Sequence, residues 1–187
     1  MMRQDRVRLQ FCGFGGQGIV LSSVIFGTAA VLTADLNAVQ TQSYGSEARG
    51  GECQAELILA QEPIHSPLAD EMDILVAMSQ LALDKYTDRL RAGGMLIIDP
   101  ELVQAPDRRD VQIARVPATE IASELGARIA ANMVMLGFLQ QATGLVSREG
   151  LFETIRENVP EKFVQLNLQA AEQGIALAQE QNLTVEI

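Results

Sequence analysis

The sequence predicts a three-layer α/β fold with a mixed or mostly parallel sheet, helices on both faces and further helices at the C-terminus. Segments with the pattern of a strand alternate with segments long enough for a helix. The apolar runs DILVAM and MLIID are typical of buried strands. Glycines stand where a strand would turn into a helix, which favours strand–helix units. We expect one domain, residues 1–187, because no linker or internal repeat is visible.

The predicted strands are runs of strand-forming residues that end at glycine, proline or polar positions. They cover residues 7–14, 37–42, 52–60, 73–78, 95–99 and 111–116.

The predicted helices begin with residues 19–32, which are apolar nearly all round, so both faces of this helix are expected to be covered. Ser79 is the predicted N-cap of a helix through Leu90, which the glycines of Ala92-Gly93-Gly94 would end. Thr119 is the next predicted N-cap. From there we expect helices over residues 119–125, 127–143, 147–159 and 162–181.

Composition excludes several classes of function. The chain has 14 Lys+Arg against 24 Asp+Glu, a net charge of −10, which argues against a nucleic-acid partner. Its two cysteines, Cys12 and Cys53, are too few for a Cys₄ zinc site or cluster, and we expect reduced thiols in a cytoplasmic protein. No secretory h-region or apolar membrane span is visible. The mean hydropathy of +0.11 fits either a well-filled core or an apolar surface buried against another chain.

The first candidate site is GFGGQG at residues 13–18, which fits G-x-G-x-x-G between a predicted strand and a predicted helix. Glycines there let backbone N–H groups approach an anion at the helix N-terminus. A dinucleotide site also needs an acidic residue at the end of the second strand, and Asp35 precedes that strand instead. The alternatives are a tight turn without a ligand, an anionic ligand, or a partner chain.

The second candidate site is SYGSEARGG at residues 43–51, at the carboxyl end of a predicted strand, where open α/β sheets bind ligands. Arg49 offers a five-donor fork for carboxylate or phosphate, and Glu47 could orient it. The alternative is an exposed loop with a local ion pair. The lone His65 lies between two prolines and gives no basis for a catalytic triad.

Longer segments carry a family resemblance. The chain contains, in order, FCGFGGQGIVLSSVIFGTAA, QTQSYGSEARGG, DILVAMSQLALDKY, GGMLIIDPELV and RVPATEIASELGARIAANMVMLGFL. Together these resemble the gamma subunit of 2-oxoacid:ferredoxin oxidoreductases, most closely the 2-oxoglutarate type. The resemblance covers nearly the whole chain from about Val7. The pairing of GGQG with SYGSEARGG is far more specific than G-x-G-x-x-G alone.

The resemblance implies a Rossmann-like gamma subunit of an enzyme that converts a 2-oxoacid and coenzyme A into acyl-CoA and CO₂, passing two electrons to ferredoxin. Thiamine diphosphate and iron–sulfur clusters would belong to partner subunits, and this chain would bind no cofactor alone and show no activity alone. The implied partners are alpha and beta subunits, a delta subunit where one exists, and ferredoxin through the complex. Neither nucleic acid nor a membrane is implied.

The resemblance also assigns site residues, none of them catalytic or metal-binding. Those expected to contact coenzyme A or another subunit are Gly13, Gly15, Gly16, Gln17, Gly18, Ser43, Tyr44, Gly45, Glu47, Arg49, Gly50, Gly51 and Asn132. Gly137 matches the same family helix as Asn132, and Ser46 departs from the proline of many relatives. We expect the two glycine-rich segments to converge at the carboxyl edge of the sheet.

Two other functions stay open at this point. One is the beta subunit of an indolepyruvate oxidoreductase, which shares the fold. The other is a non-catalytic module that binds a nucleotide or coenzyme A. Neighbouring genes for alpha and beta subunits would favour the 2-oxoacid oxidoreductase over the module.

Arg49→Ala is expected to raise the KM for coenzyme A, or to weaken assembly, because a charge-assisted hydrogen bond would be lost. The expected loss is about 1–3 kcal/mol. Steady-state kinetics and co-purification of the assembled oxidoreductase measure it, and a variant unchanged in both would reject the role.

Overall fold

The computed structural model describes residues 6–44, 51–67 and 70–182. It contains six strands and six α-helices in these ranges, with two short 3₁₀ turns, Thr87–Arg89 and Arg128–Ala130. The strands are β1 Arg6–Phe14, β2 Asn37–Tyr44, β3 Glu52–Ala60, β4 Met72–Ala77, β5 Leu90–Ile98 and β6 Gln112–Arg115. The helices are α1 Ile19–Ala34, α2 Gln80–Tyr86, α3 Ala118–Glu124, α4 Ala131–Thr143, α5 Arg148–Asn158 and α6 Glu161–Gln181.

The six strands form one mixed sheet in the order β2-β3-β1-β4-β5-β6. β1, β4, β5 and β6 are parallel, and β3 runs antiparallel to both β1 and β2. The crossover through α1 therefore leaves β2 parallel to β1, and β3 fills the gap between them. The predicted α/β sheet is confirmed, and it is of the mixed kind.

Helices lie on both faces of the sheet, but unequally. One face carries α1, α3, α4, α5 and α6, whose side chains join those of β1 and β3 in the main core. The other face is covered by α2 and the segment after β5, including Leu83, Tyr86 and Val103. In the part of the chain that the structure describes, no helix is both long and apolar enough to cross a membrane.

The prediction that both faces of α1 are covered is wrong for this chain by itself. Val31 is 48% exposed and Leu32 61% exposed, although the helix contains no charged residue. The core covers only the side of α1 that faces the sheet and α5.

Two local predictions need correction, and one is confirmed. Helix α2 ends at Tyr86, so Gly93 and Gly94 do not stop it but lie inside β5. Ser79 does cap α2, because its side chain accepts a hydrogen bond from the Ala82 amide. Thr119 is not an N-cap: its amide and hydroxyl both donate to the buried carboxylate of Asp99, which ties α3 to the end of β5.

The two thiols are free and buried on opposite faces of the sheet. Cys12 pairs in register with Gln54, and the next residue, Gly13, pairs with Cys53. Side chains of successive pairs point to opposite faces of a sheet, so the thiols of Cys12 and Cys53 lie on different faces. The pleat therefore prevents a disulfide between them. Burial raises the pKa of both thiols.

Helices α4 and α6 cross at very close range. A Cβ atom on Gly137 would overlap the carbonyl oxygen of Ala171, and one on Gly174 would overlap the carbonyl oxygen of Val134. Only glycine allows the two backbones to approach this far. The crossing fixes the position of α4, which carries Asn132 at its first turn.

Gly174→Ala is expected to destabilise the fold by about 2 kcal/mol, because overpacking against backbone costs about 1–3 kcal/mol. Helix propensity alone would instead stabilise this substitution by about 1 kcal/mol, so the sign is diagnostic. Urea unfolding measures the effect as a lower midpoint with an unchanged slope. The exposed Gln173→Ala on the same helix is the control. A Gly174→Ala variant as stable as the parent would contradict the close crossing.

Candidate functional site

The first glycine-rich segment and the described ends of the second, residues 43–44 and 51, meet at the carboxyl edge of the sheet. β1 and β2 both end there, and β3 begins there. The Gly15 amide donates a hydrogen bond of 2.9 Å to the carbonyl oxygen of Gly51. Ser43 is exposed at the end of β2, and Tyr44 pairs in register with Cys53. Gly45, Ser46, Glu47, Arg49 and Gly50 lie outside the described residues, so their predicted contacts stay predictions.

The Gln17 side chain holds the first glycine-rich segment against the neighbouring strand. Its Oε1 accepts from the Phe14 amide at 2.6 Å, and its Nε2 donates to the Met78 carbonyl at 2.8 Å. Gly13 makes room for this side chain, since a Cβ there would overlap Gln17 Oε1. One amide therefore joins the end of β1 to the end of β4.

Helix α1 begins at this segment without a side-chain cap. Its N-cap residue, Gly18, has a left-handed φ of 73°, and the first turn contains no acidic residue. A Cβ on Gly18 would also overlap the amide of Asn132. The buried Asn132 Nδ2 lies 3.5 Å from both the Gly18 carbonyl oxygen and Ser22 Oγ. The first turn of α1 is therefore packed against Asn132, and the Val20 amide there donates a hydrogen bond to the Cys53 sulfur.

A second anchor stands where the other glycine-rich segment returns to the sheet. Glu52 accepts hydrogen bonds from Lys85 Nζ at 2.8 and 3.0 Å, and one from the Tyr86 hydroxyl. Partial burial opposes ionisation of Glu52, yet these hydrogen bonds outweigh it and lower the pKa of its carboxyl. The start of β3 is therefore tied to α2 by a charged contact.

A crevice of about 280 Å³ opens beside the first glycine-rich segment. Arg128 supplies a cation at its rim, held 2.9 Å from Glu101 Oε1, and Ile129 is 77% exposed. This volume is at the lower limit of the roughly 300–1,000 Å³ that encloses a small-molecule ligand. Its lining residues are Gly16, Gln17, Met78, Leu102, Thr119, Arg128, Ile129 and Ala131.

A larger concavity of about 680 Å³ lies next to α3, but its chemistry does not suit an anion. Glu101, Glu120 and Glu124 line it together with Pro100 and Pro117. We therefore place the candidate site in the smaller crevice, which the Arg128 guanidinium borders.

The structure adds site residues that the sequence interpretation missed. Arg128 and Ile129 were expected inside a helix, but they form the 3₁₀ turn before α4 and face the crevice. The sequence signal for a turn before Arg128 is Gly126, which adopts a left-handed φ of 84° in the structure. Thr119 also lines the crevice, positioned by Asp99 at the end of β5.

The arrangement can bind an anion at the Arg128 guanidinium or another polypeptide at the exposed Ile129. Among the residues that the structure describes, no three His, Cys, Asp or Glu side chains are grouped to hold a metal ion.

Comparisons with known proteins agree with this fold. The family model for pyruvate ferredoxin/flavodoxin oxidoreductase matches residues 8–177. The 2-oxoglutarate synthase subunit KorC of Methanothermobacter marburgensis is 44% identical over 182 residues, covering 94% of this chain and 98% of that protein.

Two solved structures share the architecture. The gamma subunit of a keto/oxoacid ferredoxin oxidoreductase from Geobacter sulfurreducens is 37% identical, with a TM-score of 0.84 over 94% of this chain and 97% of that chain. The 2-oxoglutarate:ferredoxin oxidoreductase from Magnetococcus marinus, solved with 2-oxoglutarate, coenzyme A and succinyl-CoA bound, has a TM-score of 0.87 at 24% identity. That match covers 97% of this chain and 32% of that chain, and it shows the shared fold.

Gln17→Ala is expected to loosen the end of β1, because the Phe14 amide and the Met78 carbonyl lose their shared partner. Hydrogen exchange at the Phe14 amide should speed up by roughly fivefold, corresponding to about 1 kcal/mol for a lost hydrogen bond. The exposed Gln169→Ala on α6 is the control and should leave that rate unchanged. Equal exchange rates at Phe14 in both variants would show that Gln17 does not hold the segment.

Proposed function

The chain belongs to the pyruvate ferredoxin/flavodoxin oxidoreductase family, and we propose that it is the gamma-type subunit of a 2-oxoglutarate:ferredoxin oxidoreductase. The observation that carries the proposal is the 44% identity to a 2-oxoglutarate synthase subunit over 98% of that subunit's length. A chain of the same length and fold is expected to occupy the same place in an assembly. The proposed unit is a single domain acting in the cytoplasm.

The proposed reaction takes a 2-oxoacid, coenzyme A and two oxidised ferredoxins to acyl-CoA, CO₂, two reduced ferredoxins and a proton. Thiamine diphosphate, when bound in the partner subunits, would serve as the electron sink for decarboxylation. This chain's two cysteines face opposite sides of the sheet, so they cannot supply a Cys₄ cluster. The redox centres of the proposed complex therefore belong to other subunits.

This chain's own residues would help to bind and orient coenzyme A, the anionic co-substrate. The Arg128 guanidinium, which is paired with Glu101, favours phosphate groups at the crevice. The crevice is too small to enclose such a ligand by itself, so a partner subunit would complete the site. The exposed Ile129 at the rim offers an apolar contact for that partner.

The test is to co-express this chain with alpha and beta subunits of a 2-oxoglutarate:ferredoxin oxidoreductase from the same organism and to assay the complex. We expect reduction of a viologen dye that depends on 2-oxoglutarate and coenzyme A, with at least tenfold lower kcat/KM for pyruvate and for indolepyruvate. The isolated chain should show no activity. A complex lacking this chain is the matched control and should lose activity or bind coenzyme A less tightly.

Other results would favour the alternatives. A preference for indolepyruvate would assign the chain to the beta subunit of that oxidoreductase. A chain that binds coenzyme A alone and never co-purifies with the other subunits would be a binding module. Oxidation of a 2-oxoacid by the isolated chain would overturn the proposal.

A further inference from the structure

One side of the molecule, formed by the outer arc of α1 and the strand β2, is almost free of charge. Asp35 is the only charged residue between Arg8 and Glu47, in a chain of which 20% of residues are charged. We call this side the neutral face and define it by residues 20–43. It lies apart from the crevice, because none of the crevice-lining residues belongs to it.

The outer arc of α1 is apolar where a surface helix is normally charged. Val20, Val24 and Thr28 are half-buried along this arc. Val31 and Leu32 continue it, and both are exposed. These residues recur at helical spacing, so they form a continuous stripe rather than scattered positions.

Strand β2 is an edge strand in the described part of the sheet, and it lacks the usual protection of an edge. It has eight residues in regular register with β3, with no charged residue and no proline. The opposite edge strand, β6, has only four residues, ends at Arg115, and lies beside α6, where Gln181 Nε2 donates to the Arg115 carbonyl. Native proteins blunt or cover edges, and among the residues that the structure describes only β6 is treated in this way.

The helix stripe and the edge strand adjoin each other. α1 lies across β2 and β3, with Gly27 against the side chains of Leu57 and Ala38. An eight-residue strand is about 26 Å long and a 16-residue helix about 24 Å, so the two elements are matched in length. They offer one extended surface to a single partner.

We infer that the neutral face is a homodimer interface, in which β2 of two copies pairs antiparallel about a twofold axis. Two copies of this chain each carry a net charge of −10 and repel each other. In a twofold contact each patch meets itself, so any charge near its centre would face a like charge. A face whose one charged residue, Asp35, lies outside both α1 and β2 limits that repulsion, and antiparallel pairing of identical edges satisfies the unpaired backbone groups of β2.

This inference goes beyond the proposed function. The crevice at the carboxyl edge would stay open in such a dimer, so the assembly would present two crevices to the other subunits.

The test is sedimentation velocity on the purified full-length chain from about 1 to 100 µM, a range that spans ordinary dimer affinities. We expect a species of twice the 20.3 kDa chain mass. Thr41→Glu, near the middle of β2, and Leu32→Glu, on the stripe, should each weaken the dimer at least tenfold. Gln169→Glu on α6 adds the same charge elsewhere and should leave the dimer unchanged. Unfolding midpoints of all variants establish that they fold.

Salt gives a second readout. Raising the ionic strength from about 0.05 to about 0.5 M shortens the Debye length severalfold, so self-association should tighten as repulsion is screened. A dimer that dissociates in salt would indicate ion pairs at the interface and would contradict the neutral face.

Two further outcomes would overturn the inference. One is a chain that stays monomeric throughout, and the other is a dimer that neither Glu variant weakens. If the lone chain is monomeric and the Glu variants lose co-purification with the other subunits, the face is assigned to a partner subunit instead. These results do not depend on catalytic activity, so they are separable from failure of the proposed function.

Discussion

The hydrogen bond from the Gly15 amide to the Gly51 carbonyl joins the two segments of the candidate site, and the rest of that site depends on it. It exists because β3 runs antiparallel between β2 and β1, so that the start of β3 lies beside the end of β1. In a purely parallel sheet the second segment would lead away from the first. The one reversed strand therefore builds the site as much as the glycines do.

The site also depends on contacts far from the edge of the sheet. Asn132 reaches Gly18 because α4 is set deep against the rest of the fold, and the close crossing with α6 at Gly137 and Gly174 allows that depth. Asp99 has a similar positioning role on the other side of the crevice, where its carboxylate accepts hydrogen bonds from the amide and hydroxyl of Thr119. Buried packing and buried hydrogen bonds thus position groups that a ligand or a partner could reach.

The two surfaces that we propose for contacts with other molecules differ in their chemistry. The carboxyl edge offers a guanidinium and one exposed isoleucine beside a crevice too small to enclose a ligand. The side formed by α1 and β2 offers uncharged apolar residues and an unprotected strand. The two surfaces differ in position and in character, which fits a subunit that contacts more than one neighbour. Neither the first glycine-rich segment, residues 13–18, nor α1 contains a charged residue.

The sequence by itself determined most of the local structure and the family. Alternation and glycine positions gave β3 its bounds, Glu52–Ala60, and placed the start of α1 at Ile19, because these signals act over a few neighbouring residues. The pairing of two glycine-rich motifs pointed to the family and to Gly15, Gly18, Gly51 and Asn132, which the structure brings together. The contacts predicted for Arg49 and its neighbours stay predictions. Only the tertiary structure decided the sheet order, the inclusion of Gly93 and Gly94 in β5, and the place of Arg128 in the crevice. Those outcomes depend on contacts between distant parts of the chain, such as Asn132 with Gly18, 114 positions apart, and no local pattern records them.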